Sequence, residues 1–322
     1  MSGFLLRRLG ASLLLLLLVL TVTFFLLRLL PGDPMHLFEG QRLTVEQQQK
    51  LEKYYGFNRP LPQQYAAWLA AVALRGDWGT SLSQQRPVTS ALLEALPATA
   101  ALASAALGVE YAAALLLGVA AAGRRRSAVD HAIRIGSLLL FSLPTFWLGL
   151  MAILLFSYLL PVLPASHMHS VDAELMSPVG WLFDLLRHLT LPALVLGLSA
   201  TGGTARFVRA SLIEVMSQDY IRAARAKGLS ELRVVWVHGM RNAAVPLIQL
   251  FALSLPALLS GSLVTEVVFS WPGLGQLTFN AILTRDYPLI LGSTALSATL
   301  VILGNLVADV LQALVDPRAR DA

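Results

Sequence analysis

Apolar positions in this chain come in long runs, not in short alternations. The first covers residues 9–30, LGASLLLLLLVLTVTFFLLRLL, and is interrupted only by Arg28. About 20 apolar residues suffice to cross the hydrocarbon of a bilayer. Further runs cover residues 97–123, 132–160, 189–205, 243–268 and 288–314. Each predicts a membrane-crossing helix, with Pro144 expected to kink the third. The second is rich in Ala and Gly, which lets helices approach closely in lipid. The predicted fold is therefore an all-α polytopic membrane protein with six transmembrane helices.

Charge between the runs gives the sidedness. Arg7 and Arg8 precede the first run, Arg124, Arg125 and Arg126 follow the second, Arg206 and Arg209 follow the fourth, and Arg318 and Arg320 follow the sixth. Basic loops stay in the cytoplasm, so both termini are expected there. Arg28 lies close enough to the outer end of its run to snorkel. A cleaved signal peptide is the competing reading of the first run. Its length, and the lack of a small-x-small site after it, argue against that.

Residues 31–96 differ in kind. Basic Arg42, Lys50, Lys53, Arg59, Arg75 and Arg86 are balanced by Asp33, Glu39, Glu46, Glu52, Asp77 and Glu94. Such neutrality suits the outer side. Helices are predicted over 44–55, with Thr44 as N-cap and Gln47 at N3, and over 62–74. The second would set Tyr65, Trp68, Leu69 and Val72 on one packing face. The expected division is thus 1–30 for the tail and first helix, 31–96 for an extracytoplasmic subdomain, 97–314 for the membrane core, and 315–322 for a cytoplasmic tail.

Composition agrees with this picture. Of 322 residues, 56% are hydrophobic and 13% charged, against about a quarter charged in a soluble domain. The mean hydropathy is +0.66 and the pI about 9.8. The net charge of +5 is that of cytoplasmic loops, not of a nucleic-acid binder. There are no cysteines, which excludes disulfides, thiolate metal sites and a thiol nucleophile.

The most basic stretch, within residues 206–246, has a pattern that charge alone does not explain. Asp219 is placed to cap a helix over 220–227 with small residues Ala223, Ala224 and Ala226. Gly228 suits the C′ position, where φ is commonly positive. Ser230 is placed to cap a second helix through about Met240, and Asn242 and Pro246 mark the return to lipid. A positive-inside loop on anionic lipid accounts for the arginines. It does not account for a small-residue helix, a glycine stop and a fixed re-entry.

The run YIRAARAKGL (220–229), with Arg241-Asn242-Ala243 and Pro246, resembles the EAA loop of ABC importer permeases. Arg222 stands where the naming glutamate would be, as is common in the dipeptide/oligopeptide/nickel branch. The segments 29–34, GDWGTS (76–81), LPAT (96–99), SLPTFWL (142–148), LTLPA (189–193), TEVVFSWPGLG (265–275) and RDYP (285–288) resemble that branch in the same order. The long loop after the first helix resembles its B-type subunit. The resemblance implies a type I importer permease of the bacterial cytoplasmic (inner) membrane. It implies partnership with a second homologous permease, two cytoplasmic ATPases and an extracytoplasmic substrate-binding protein. It also implies that Arg222, Ala223, Ala224, Arg225, Lys227, Gly228 and Leu229 couple to the ATPase. The chain has no GxxxxGK[ST] phosphate loop, so ATP hydrolysis is expected in the partner, with no cofactor and no catalytic residue here.

Other candidates lie elsewhere. Glu110 falls near the middle of the second run, where an acid either lines a pathway or holds an interhelical bond. Glu266, near the outer end of the fifth, is a candidate for gating, for contact with the binding protein, or for a plain interfacial place. Arg134 and Asp309 suit anchors or interhelical partners. His167, His169 and His188 raise weak metal binding. No Ser/His/Asp or HExxH arrangement suggests an enzyme. The expected cargo is di- or oligopeptides, with nickel or a metal chelate as the alternative. A secondary transporter is the reading from another class, and would call for inverted repeats and broken, ion-coordinating helices.

Overall fold

The apolar runs become helices, several of them longer than the runs themselves. The computed structural model describes residues 2–29, 59–259 and 263–315. In chain order the helices are α1 (Ser2–Leu29), α2 (Leu61–Arg75), α3 (Val88–Gly123), α4 (Ala128–Ser142), α5 (Thr145–Ile153), α6 (Pro178–Met216) and α7 (Asp219–Ala226). There follow α8 (Glu231–Arg233), α9 (Met240–Leu259), α10 (Leu263–Val268), α11 (Leu274–Leu283) and α12 (Tyr287–Val315). π-helical turns extend α5 over Leu154–Leu159 and join α8 to α9 over Val234–Gly239. Among the described residues the only β pairing is an isolated bridge between Thr80 and Pro87.

Among the described residues four helices are long and apolar enough to cross a membrane: Gly10–Leu29 of α1, α3, α6, and Tyr287–Leu311 of α12. The third run departs from expectation. It is not one kinked helix but two, α4 and α5 with its extension, bent by 99°. Proline disfavours helical backbone in the residue before it. Leu143 is accordingly extended (φ −79°, ψ 136°), and Pro144 is the N-cap of α5, not an interior residue. Two expected starts also move outward. Pro97 lies inside α3, and α6 begins at Pro178, where the Ser177 hydroxyl accepts from Gly180 N at 3.2 Å. The predicted helix over 44–55, the 29–34 segment beyond Leu29, and the tail beyond Val315 lie outside the described residues.

The centre of the molecule is the α3–α6 pair. A Cβ on Gly197 would meet Ala106 O at 2.6 Å, and one on Gly118 would meet Val208 at 2.6 Å. Small residues let these backbones approach where dispersion must hold helices together. The Thr204 hydroxyl donates to Glu110 Oε1 across the pair at 2.6 Å. Arg209 grips buried Asp130 with two bonds, 2.7 and 2.8 Å, which ties the start of α4 to α6. At the far side α1 lies on α12, joined by Arg8 and Asp309 at 2.9 Å, so Asp309 is an interhelical partner. Arg134 is exposed.

The described part of the 31–96 region is anchored by its aromatic face. Tyr65 and Trp68 of α2 pack on Phe24 with centroids 5.3 and 5.6 Å apart, and Thr21 hydrogen-bonds the Tyr65 hydroxyl at 2.6 Å. Arg28 lies over the rings of Phe24 and Tyr287, at 5.3 and 5.5 Å.

Candidate coupling site

The candidate site begins where α6 runs past its apolar part. After Met216 the chain turns through Ser217 and Gln218 into α7. One face of this eight-residue helix is a small core: Ile221 and Ala224 pack with Val234, Met216 and Leu229. Ile221 and Ala224 are three apart, the spacing of one helical face. The other face is open, with Arg222, Ala223, Arg225, Ala226 and Lys227 all exposed. The expected contact set is thus spread over both faces. Ala224 is 7% exposed and belongs to the chain's own core, and Leu229 is half-buried beneath it.

Gly228 sits at C′ with φ +77°, and its N–H donates to Arg225 O at 2.9 Å. A side chain there would meet nothing within 4 Å, so its requirement is the backbone conformation. Two expected caps differ. Gln218, not Asp219, is the N-cap of α7, and it makes no side-chain cap bond. Ser230 is the N-cap of α8 but makes none either. The second helix does not end at Met240; it passes through the π-helical turn into α9. Asp219 instead pairs with Arg222 on the exposed surface, and Arg225 pairs with Glu231 at 2.7 Å. Asn242 donates to the Tyr220 hydroxyl at 2.6 Å, which closes the hairpin on itself.

The pathway candidates fall elsewhere. Glu110 is 4% exposed and accepts an interhelical bond from the Thr204 hydroxyl. Glu266 is fully buried within this chain. Its Oε2 accepts from Gly275 N (2.7 Å) and Gln276 N (3.1 Å), and its Oε1 from the Thr99 hydroxyl (3.0 Å). Thr99 Oγ1 in turn accepts from Leu274 N at 2.7 Å. These are the first three amides of α11, which a helix leaves without internal partners. An anion at that end is also favoured by the helix dipole. Gly273 allows the approach, since a Cβ there would meet Glu266 Oε2 and Thr99 Oγ1 at 2.5 Å. Trp271, fully buried, donates its ring N–H to Ala98 O at 2.7 Å. The LPAT and TEVVFSWPGLG segments are thus one structural unit.

GDWGTS and RDYP are joined in the same way. Asp286 Oδ2 accepts from the Ser81 hydroxyl (2.6 Å), the Ser83 amide (2.9 Å) and the Ser83 hydroxyl (2.7 Å). Its Oδ1 accepts from Leu289 N at 3.2 Å, in the first turn of α12. Sequence reading missed this residue, although an acid two positions before a proline is a helix-start signal. Two of the histidine candidates, His169 and His188, converge on Asp184, while His167 Nδ1 lies 2.9 Å from the Ser166 hydroxyl. His169 Nδ1 lies 3.2 Å from Oδ2, His188 Nδ1 lies 2.9 Å from the Asp184 carbonyl, and Ser170 donates twice to the carboxylate. Among the described residues no group of three candidate ligands has the geometry to hold a metal.

The chain matches two family models along most of its length. Residues 114–321 match the binding-protein-dependent transport system inner membrane component, and residues 1–103 match its N-terminal membrane component. Curated relatives align end to end. An oligopeptide transport system permease protein, AppB of Bacillus subtilis, is 37% identical over 99% of both chains. A di/tripeptide permease protein, DppB of Pseudomonas aeruginosa, is 40% identical, and the dipeptide permease DppB of Escherichia coli K12 is 36% identical, each over 99% of both chains. Among solved structures, the inward-facing MetNI methionine ABC transporter matches 71% of this chain and 97% of its own, with a TM-score of 0.54 and 17% identity. At that identity the likeness shows the fold.

Proposed function

The chain belongs to the family of binding-protein-dependent transport system inner membrane components, and from that premise we propose that it forms the translocation pathway for di- or oligopeptides. It is a multi-pass inner-membrane permease of an ABC importer, and not itself an enzyme. The peptide assignment draws on the names of its full-length relatives. Those names give the nickel reading no support, and membership of the family displaces the secondary transporter. The proposed complete topology has six spans with both termini in the cytoplasm. The proposed assembly is two homologous permeases, two ATPases and one binding protein.

The observation that carries the coupling role is the division of α7 into two faces. Ile221 and Ala224 hold the helix on its own chain, while Arg222, Ala223, Arg225 and Lys227 stay open to a partner. A short helix so mounted, with Gly228 setting its exit, is a lever. Force from a closing ATPase dimer acts on the open face and passes into α6 and, through the π-helical turn, into α9. Glu110 and Glu266 stay inside that lever's frame, off the pathway. The reading is tested by purifying the tagged chain from its own host and measuring uptake of labelled dipeptides and tripeptides. ATPase subunits are expected to co-purify and uptake to require ATP. Co-purification of no ATPase, or uptake surviving without ATP, would overturn it.

A further inference from the structure

A groove of about 230 Å³ runs between the first turns of α3 and the helix α11. Small residues make the room: Ala91 and Ala95, both buried, line it with Gly273. Arg86, Glu94, Gln276 and Asn280 supply its polar side chains. We infer that this groove binds a dipeptide as a zwitterion, with Arg86 on the carboxylate, Glu94 on the ammonium, and Gln276 and Asn280 on the peptide bond. The inference rests on the peptide reading above and adds a place where this chain itself holds cargo.

Charge is the first argument. Arg86 and Glu94 pair with each other, with 38% and 64% of their side chains exposed. The groove is thus net neutral while offering one charge of each sign. A lone anion or cation finds its counter-charge already engaged. A ligand carrying both charges exchanges one internal pair for two pairs with itself. Exposed pairs contribute little to stability, so this one opens at small cost. Arg86 also has more donors than its bonds to Gln84 and Glu94 use.

Unused amides are the second. The side-chain amides of Gln276 and Asn280 make no hydrogen bond among the described residues. Each carries donors and an acceptor, the complement of a peptide bond's C=O and N–H. The two residues are four apart in the chain, so they share a face of α11 and lie about 6 Å apart along it. Two extended residues span about 7 Å.

Size is the third. The volume is below the roughly 300–1,000 Å³ of sites that enclose a drug-sized ligand, which suits two residues and not a long segment. A protein partner would need more than about 1,000 Å² of interface, which a recess of this size does not supply. In the proposed topology the groove lies at the outer end, where cargo arrives.

The test uses the full chain with its co-purifying subunits, in detergent and without the binding protein. Ligands are titrated by saturation-transfer NMR: alanyl-alanine, its N-acetyl and C-terminal amide derivatives, and 5-aminopentanoate, which carries both charges without a peptide bond. Alanyl-alanine is expected to bind tightest. Each blocked derivative should bind about tenfold more weakly, the usual effect of losing a hydrogen bond to a charged group, and 5-aminopentanoate about fivefold more weakly. Arg86→Gln should erase the preference for a free carboxylate and Glu94→Gln that for a free ammonium. A merely structural role would weaken all four ligands alike, and that result would overturn the inference. So would absence of alanyl-alanine binding to the wild type, or binding unchanged in both variants. Loss of binding-protein capture in the variants with alanyl-alanine binding intact would make the groove a docking surface instead, and displacement of alanyl-alanine by short-chain phosphatidylethanolamine at lower concentration would make it a lipid site. Wild-type uptake of labelled dipeptide tests the cargo assignment, whereas the pattern of ligands across variants tests the groove, so the two fail separately.

Discussion

The end of the core that carries α11 and the start of α12, in the proposed topology the outer end, and the α7–α8 hairpin, in that topology cytoplasmic, are both built from short helices and tight turns, yet they are held in opposite ways. At the outer end, α11 and α12 each have their first turn closed by a buried carboxylate, Glu266 and Asp286, and each carboxylate also binds a distant segment. In the hairpin neither α7 nor α8 has a side-chain cap, and both ion pairs lie at the surface. One region is a lock whose parts cannot separate without orphaning buried donors. The other rests on three buried residues and a glycine, and leaves its opposite face unused. A rigid frame and a lightly mounted lever is what conversion of an external push into helix tilt requires. If that contrast holds, substitutions at the outer end should remove protein and transport together. Those in the hairpin should remove transport and spare the protein.

The largest effect is expected at Glu266. Glu266→Ala leaves Gly275 N, Gln276 N and the Thr99 hydroxyl without their acceptor. Each orphaned buried group costs about 1–3 kcal/mol, so the sum is at least about 3 kcal/mol. Little folded protein should be recovered in detergent extracts, and uptake should vanish with it. Glu266→Gln keeps an acceptor oxygen and should restore most of the yield. Normal yield in the alanine variant would dissolve the idea of an outer lock.

Asp286→Ala comes next, at about 2 kcal/mol or more for its two buried donors, the Ser81 hydroxyl and Leu289 N, left unpaired, while exposed Ser83 can turn to water. The protein should still accumulate but lose several degrees of thermal stability. Protease added from the outer side should cut near residues 76–87 faster than in the wild type. Unchanged cleavage would mean that the segment is held by the Thr80–Pro87 bridge and packing alone.

Gly228→Val separates the two regions most directly. The side chain has space, but φ +77° disfavours a branched residue by about 1–2 kcal/mol. That cost falls on the hairpin's exit and not on the core. Abundance by immunoblot should match the wild type while dipeptide uptake falls at least about tenfold. Gly228→Asn, which tolerates this backbone better, should recover part of the uptake. A parallel drop in abundance would place the hairpin with the lock.

What could be read from the sequence divides along the same line. The long helices α1, α3, α6 and α12 follow from apolar runs, because helix is the only way for one segment to satisfy its backbone in lipid. Gly228 was legible for a local reason: a left-handed C′ position is a property of one residue. The packing of Ala224 against Val234 was available in its spacing from Ile221 but was not read. Small size drew attention there, when position on the helix decides what a residue touches. The distant partners of Glu266 and Asp286 were beyond local reading. Thr99 and Ser81 are 167 and 205 residues away, and only the folded chain brings them together. Pro144 shows a middle case, in which the proline was seen but its place at the start of α5, not inside one span, was not.

The smallest structural effect should come from Arg222→Glu, and it asks the most of the comparison. Arg222 and Asp219 are 72% and 90% exposed, and such pairs contribute about 0.3–0.5 kcal/mol. Reversal places two acids three apart on α7, a penalty of similar size. Thermal stability and abundance should therefore stay within experimental error of the wild type. Docking of the ATPase should not, because an open face that meets a partner changes there by two charges. Rim charges act mainly on association and are screened by salt. ATPase association, measured by surface-immobilised capture, should weaken several-fold at low ionic strength and return towards wild type at about 1 M salt, where screening reaches about 3 Å. If capture is unaffected at every salt concentration, the open face of α7 is not where the partner sits. The lever would then have to be sought in another exposed basic surface, such as the Arg124–Arg126 turn beside α3.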